Sequence, residues 1–260
     1  MNTENRTKIN QLIQQWPRGT ATVTSALFSM GFSNELIRLY KNSRWIRSCG
    51  RGAYALYNDQ VEWTGGLYAL QTQLGLTVHA GGKTALELKG FSHYLPAEIK
   101  RVFLYGIRGE KLPTWFKEYD WGVDIVFTPT NLFPAECTEG FSKYREKEFS
   151  IMISSPERAA MELLYHIPSK ITFEEAFFIM ENLMTLRPEV VETMLECCKS
   201  VKVKRVFMYM AEKHQHSWVE KIDVSKVDFG RGKRVIVKSG VLNKKYSIIV
   251  PKPIEEEETV

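Results

Sequence analysis

Asn34, Arg38, Lys41 and Asn42 recur at intervals of one, three and four residues in the stretch SNELIRLYKN, a combination of side chains with a chemical use. Amide and guanidinium groups can make paired hydrogen bonds to base edges, and a lysine can hold phosphate. At about 100° per residue these four fall with Glu35 on one arc of a helix, and Leu36, Ile37, Leu39 and Tyr40 fall on the opposite arc. A basic hairpin follows. Arg44-Trp45-Ile46-Arg47 alternates as a strand, Gly50-Arg51-Gly52 makes the turn with Arg51 at its tip, and Ala53-Tyr54-Ala55-Leu56 returns. A second basic group, Arg231, Lys233 and Arg234, sits in a glycine-containing turn near the other end of the chain. These ten residues, Arg47 included, are the candidate DNA contacts.

Other chemistries find less support. Gly82-Lys83-Thr84 has the ending of a phosphate loop, but the position five before Gly82, where that loop needs glycine, is Thr77. Asp120, Asp124 and Glu136 are the carboxylates a metal-dependent nuclease could use. The acid and lysine two apart that such a site wants are missing at Glu136-Cys137-Thr138. His214 and His216 with Cys197 and Cys198 are not at spacings usual for structural zinc. His79, His93 and His166 have no nucleophile motif around them. No catalytic residue, metal or cofactor is expected.

The recognition arc needs elements to carry it. Thr24 to Met30 reads as a short helix with Ala26, Leu27 and Met30 on one face and the Thr24 hydroxyl as its cap. Gly31 supplies a left-handed turn, Ser33 caps the next helix, and Glu35 complements the positive end of its dipole. An earlier helix, residues 3–16, presents Ile9, Leu12, Ile13 and Trp16 to pack beneath both. Helix, helix, helix and hairpin make a winged helix-turn-helix over residues 1–60. Residues 61–252 read as a larger mixed α/β domain. A helix is expected between Trp63 and Leu74, starting after Gly65-Gly66, then a strand, glycine turn and helix over 76–86. Strands are expected at Arg101–Tyr105, Val123–Phe127 and Phe149–Ile153 in an antiparallel or mixed sheet. Helices follow from Ser155 to Ile167 and near 172–186, 188–199 and 201–213, with Met180, Leu183, Met184 and Leu186 as a core stripe. Two last strands lie at 235–237 and 246–250. Glu255–Glu258 repel one another, so residues 253–260 read as a disordered acidic tail. The fold class is α+β.

Charge is divided along the chain. Residues 1–60 carry 8 Lys/Arg against 3 Asp/Glu, residues 61–199 carry 14 against 19, and residues 200–252 carry 13 against 4. Two basic ends flanking an acidic middle suit a polyanion partner held at both ends. Four cysteines without C-x-x-C spacing suit a reducing compartment. Neither a leader pattern nor a run of about 18 apolar residues is present, so a cytoplasmic protein without a membrane partner is expected.

Several of these segments resemble the AbiEi-like antitoxins of type IV toxin–antitoxin systems, first met in abortive infection. They are Gly31-Phe32-Ser33, Arg51-Gly52-Ala53-Tyr54, Gly81-Gly82-Lys83-Thr84-Ala85-Leu86, Ser155-Pro156-Glu157-Arg158-Ala159 with Glu162-Leu163-Leu164, and Gly240-Val241-Leu242-Asn243 with Tyr246. The resemblance implies a repressor of its own operon that binds double-stranded DNA at inverted repeats with both domains. It also implies an antitoxin against a nucleotidyltransferase-like toxin, acting without need of a stable complex. Two alternatives stay open on the residues alone: a nuclease using Asp124 and Glu136 on DNA delivered by the winged helix, and a protein adaptor whose polar arc is merely solvated.

Overall fold

Apolar positions spaced for helices and strands come together in the computed structural model, which describes residues 3–91 and 99–252. In chain order the elements are α1 (Thr3–Gln15), β1 (Thr22–Val23), α2 (Thr24–Ser29), α3 (Asn34–Asn42), β2 (Ile46–Gly50), β3 (Ala53–Leu56), α4 (Trp63–Thr72), β4 (His79–Ala80) and α5 (Gly82–Leu88). They continue as β5 (Arg101–Ile107), α6 (Thr114–Glu118), β6 (Asp124–Thr130), β7 (Phe141–Arg145), β8 (Ser150–Ser154), α7 (Pro156–Tyr165), α8 (Phe173–Glu181), α9 (Pro188–Cys197) and α10 (Val201–Lys213). A 3-10 turn (Val219–Lys221) leads to β9 (Arg234–Val235), β10 (Val241–Asn243) and β11 (Ile248–Val250). The acidic tail expected at 253–260 lies outside the described residues. The α+β class is as expected.

The chain divides into two units that are discontinuous in sequence. One comprises Met1–Ala80, Glu98–Thr130 and Ser142–Ile153, and the other Gly81–Ala97, Asn131–Phe141 and Ser154–Val260.

In the first unit Ile9, Leu12 and Trp16 close over Leu27, Phe32, Ile37, Tyr40, Ile46 and Leu56, and this cluster is the core of the winged helix. The wing is a three-stranded antiparallel sheet in the order β1-β3-β2. A five-stranded mixed sheet, β6-β5-β4-β8-β7, completes the unit: β5 runs parallel to β6, and β4 runs antiparallel to β5 and parallel to β8. β7 was not expected, because its residues are half-buried or exposed and show little apolar alternation. Nor does α4 start after Gly65-Gly66; both glycines lie inside it. A Cβ on Gly65 would stand 1.9 Å from the Gly19 carbonyl oxygen, and one on Gly66 2.4 Å from the Trp121 ring. Glycine here permits close packing inside the helix.

In the second unit α5, α7, α8, α9 and α10 pack through residues such as Leu163, Leu164, Met180, Leu195, Val206 and Phe207, all almost fully buried. Met180, Leu183 and Leu186 form the expected stripe, but Met184 is 65% exposed, since α8 ends at Glu181 and the helical period ends with it. The turn after α10 closes the end of α8: ring nitrogens of His214, His216 and Trp218 meet the carbonyls of Phe177, Met180 and Leu183 at 3.0, 2.8 and 2.8 Å. That is the work of the His214–His216 pair, a helix end rather than a zinc site. β9, β11 and β10 form a small sheet in which the short, exposed β10 was also unforeseen.

Glu162 on α7 is 1% exposed and closely held. Its carboxylate accepts from the Gly82 backbone N–H at 3.0 Å, the Ser154 hydroxyl at 2.7 Å and the Arg158 guanidinium at 3.0 Å. Arg158 goes on to the carbonyls of Cys137 and Glu139 and lies over the rings of Phe133 and Phe141. Replacing Glu162 by Ala strands a buried guanidinium and should lower unfolding free energy by about 3–5 kcal/mol in urea titration.

His166, at the end of α7, supplies a pH dependence. Burial, reinforced by Lys170 and Lys202, pushes its pKa down from 6.5 to about 4. The unfolded chain therefore binds a proton that the native state refuses between those values, and stability falls as pH drops through that window. His166→Gln should flatten thermal midpoint against pH between 6.5 and 4, compared with the unsubstituted protein.

Candidate nucleic-acid interface

α3 is displayed by its neighbours. Ser33 caps it, its hydroxyl accepting from the Leu36 N–H at 3.3 Å, and Gly31 (φ 82°) makes the left-handed turn before it. The Ser33 hydroxyl, then the Glu35 backbone, hold the Glu35 carboxyl below its ordinary pKa, so the first turn carries a negative charge. Ile37 and Tyr40 are buried and Leu36 half-buried, while Asn34, Arg38, Lys41 and Asn42 are exposed. The polar arc thus forms as one surface. Leu39, expected on the buried arc, is 39% exposed, because it lies at the margin of the stripe and the core closes on Ile37 and Tyr40.

The wing departs in detail from its expected outline. Its first strand begins at Ile46, and Arg44, exposed, is in the left-handed turn between α3 and β2 with φ 57°. A bulge at Ser48/Gly50 leads into the Gly50-Arg51-Gly52 turn, where both glycines have positive φ and Arg51 is exposed at the tip. A Cβ on Gly50 would come within 2.9 Å of Trp115 Cβ. Thr24 does not use its hydroxyl as a cap. Its backbone N–H and its hydroxyl both donate to the Gly52 carbonyl, at 2.9 and 3.2 Å, fastening the wing to the start of α2.

Arg47 faces inward. Its guanidinium donates to the Tyr119 hydroxyl at 3.0 Å and the Asp59 carbonyl at 2.9 Å, which joins β2 to the body of the first unit. Arg231 and Lys233 are exposed in the second unit, and Arg234, half-buried in β9, pairs with Ile248 of β11. Two residues that sequence reasoning passed over shape this turn: Lys204 and Arg205 of α10, both buried, donate to its carbonyls. Nothing in their spacing marks them, since bonds to carbonyls of residues 24 to 27 positions away leave no local pattern.

Several groups behind the competing chemistries have partners within the fold. The Gly82 N–H faces Glu162, and Lys83 pairs with Glu175 at 2.7 Å. Asp124, 60% exposed, pairs with Arg101 at 2.9 Å, and Asp120 accepts from the Gly122 N–H. Among the described residues no three His, Cys, Asp or Glu side chains group as a metal set. All four cysteines are free. No helix among the described residues is long and apolar enough to cross a membrane.

Family models match along the chain: "Transcriptional regulator, AbiEi antitoxin N-terminal domain" over residues 5–97, and "Transcriptional regulator, AbiEi antitoxin, Type IV TA system" over residues 99–251. The chain belongs to the AbiEi antitoxin family. It is an AbiEi antitoxin transcriptional regulator of a type IV toxin–antitoxin system. Among solved structures it is similar to the RV2827C protein from Mycobacterium tuberculosis. The TM-score is 0.59 at 14% identity, covering 96% of this chain and 92% of that one, a likeness of fold alone. No curated protein matches by sequence. For this AbiEi regulator the inward Arg47 makes a separable prediction. Arg47→Ala should lower the unfolding free energy by about 1–3 kcal/mol through the partners it leaves, measured in urea, and leave the salt dependence of DNA binding as it was.

Proposed function

We propose that this AbiEi-family regulator represses its own operon by binding inverted repeats in the promoter, and that it counteracts a nucleotidyltransferase-like toxin without requiring a stable complex with it. Residues 1–60 act as the DNA-reading domain and residues 61–252 as the antitoxin domain, in the cytoplasm and without enzymatic activity. Residues 253–260 form the acidic tail.

One observation carries the DNA half of this reading: the exposed arc Asn34, Arg38, Lys41 and Asn42 stands on a helix whose other side is fixed in a core, beside a wing with Arg51 at its tip. In the reading that follows, α3 enters the major groove, Arg38 and Asn34 address base edges, and Lys41 and Asn42 hold its rim. Arg44, from the turn before β2, and Arg51, from the wing tip, contact backbone or minor groove. Arg231, Lys233 and Arg234 add sequence-independent grip. Arg47, committed to Tyr119 and Asp59, serves the stability of the first unit rather than touching DNA.

Gel shifts on the upstream region of the operon test this directly. Binding at low salt is expected, and no retardation there would sink the reading. Arg38→Ala should cost about 1–3 kcal/mol on the preferred sequence and blur discrimination between sequences. Arg51→Ala should weaken all duplexes alike and reduce the salt slope by about 1.

A further inference from the structure

The basic turn that carries Arg231 and Lys233 has little structure of its own. β9 is two residues long, and locally Asp228, whose carboxylate accepts from the Gly230 N–H at 2.7 Å, bends the chain ahead of it. Gly230 and Gly232 both have positive φ, at 63° and 75°, which turns successive carbonyls out of a strand-like alternation. Those carbonyls converge on one side chain. Arg205 of α10, 4% exposed, donates to Phe229 O at 2.8 Å, Gly230 O at 2.9 Å, Gly232 O at 2.5 Å and Ser247 O at 3.4 Å. Its neighbour Lys204 donates to Asp228 O at 2.9 Å. A Cβ on Gly230 would meet Val201 of the same helix at 2.7 Å, so the turn lies directly on α10.

A guanidinium is suited to this position and an ammonium is not. Arginine presents planar donors in a fixed fork, so one side chain can bind several carbonyls of a single turn at once; lysine offers a point charge. Drawing the carbonyl oxygens of 229, 230 and 232 onto a buried cation has an electrostatic result as well. Oxygen dipoles that would repel phosphate are directed to α10, and the exposed Arg231 and Lys233 are left on the solvent side.

We infer that Arg205 is the positioning residue of a phosphate-binding turn: it shapes residues 228–233 so that Arg231 and Lys233 can engage the nucleic-acid backbone, and it does so without touching the nucleic acid. This rests on the DNA-binding reading above and adds the group that builds its second surface. Conserving charge at position 205 is then insufficient; the fork is what matters.

The test is the salt dependence of binding by the intact protein to a duplex of its operon's upstream region. The double substitution Arg231→Ala/Lys233→Ala should flatten the slope of log affinity against log salt by about 1.8, two phosphate contacts. Arg205→Lys should flatten it by a similar amount although the formal charge is unchanged, and in that background the double substitution should have little further effect. Gly230→Ala, which forces the turn off Val201 while leaving every charge in place, should reproduce the loss. Circular dichroism and thermal midpoints establish that each variant is folded. A folded Arg205→Lys or Gly230→Ala variant with the original slope overturns the inference, as does full sensitivity to Arg231→Ala/Lys233→Ala in the Arg205→Lys background. A parent protein that fails to bind the duplex at low salt overturns the DNA-binding reading and this inference with it, a result distinct from selective insensitivity to position 205.

Discussion

A charge taken out of water must meet as many hydrogen-bonding partners as the water it left, and the second unit is built around that constraint. Glu162 gathers a backbone N–H from the start of α5, the Ser154 hydroxyl and the Arg158 guanidinium onto one carboxylate. Arg158 then reaches the carbonyls of residues 137 and 139 and the faces of two phenylalanines. Glu157, one turn earlier, does the same with Arg187 and Ser155. Segments with no regular structure are thereby given fixed positions by side chains that are costly to leave unpaired. Arg205 follows the same logic with carbonyls in place of a carboxylate.

This use of charge changes what net charge means for binding. The excess over residues 200–252 counts Lys202, Lys204 and Arg205, but Lys202 donates to the carbonyls of Tyr165 and Ile167 at the end of α7, and the other two to the basic turn. Arg47 is occupied in the same way within the first unit. A cation whose donors are committed to carbonyls still contributes to the field, yet it cannot replace a counterion on a phosphate. The cations presented to a partner are fewer than the composition suggests; Arg38 and Lys41 of α3, Arg51 at the wing tip, and Arg231 and Lys233 are among those that stay exposed.

What could be read from the chain was local. Ser33 as a cap, Gly31 as a left-handed turn and the shared face of Ile9, Leu12 and Trp16 follow from helical geometry over a few residues, and each is present. The polar arc of α3 was legible for the same reason. The misses are long-range. Gly65 and Gly66 read as lying ahead of the helix because their real purpose, contact with Gly19 and Trp121, is invisible in their neighbourhood. β4 was expected as a strand, but its place in the middle of a five-stranded sheet comes from the strands beside it and not from its own sequence. Leu39 and Met184 show the limit of periodicity: it fixes a direction around a helix, but whether something lies there depends on the rest of the fold.

The Gly82-Lys83-Thr84 segment resembles an anion site without serving as one within this fold. Its appearance as a phosphate loop arises from what a helix start needs, small residues and free N–H groups. In this fold the Gly82 N–H is satisfied from within, by the carboxylate of Glu162, and Lys83 is paired with Glu175. An internal carboxylate therefore stands where a ligand phosphate would, and that helix start is already neutralised. On the proposed reading, the hold on a polyanion rests instead on exposed arginine and lysine side chains. Such contacts are long, solvated and exchange counterions, so association governed by them weakens steeply with ionic strength, whereas a backbone cradle closed around a buried phosphate would be screened far less. On the proposed reading, a regulator gripping DNA through these groups would keep its sequence discrimination on α3 and leave the remainder of its affinity open to the ionic environment.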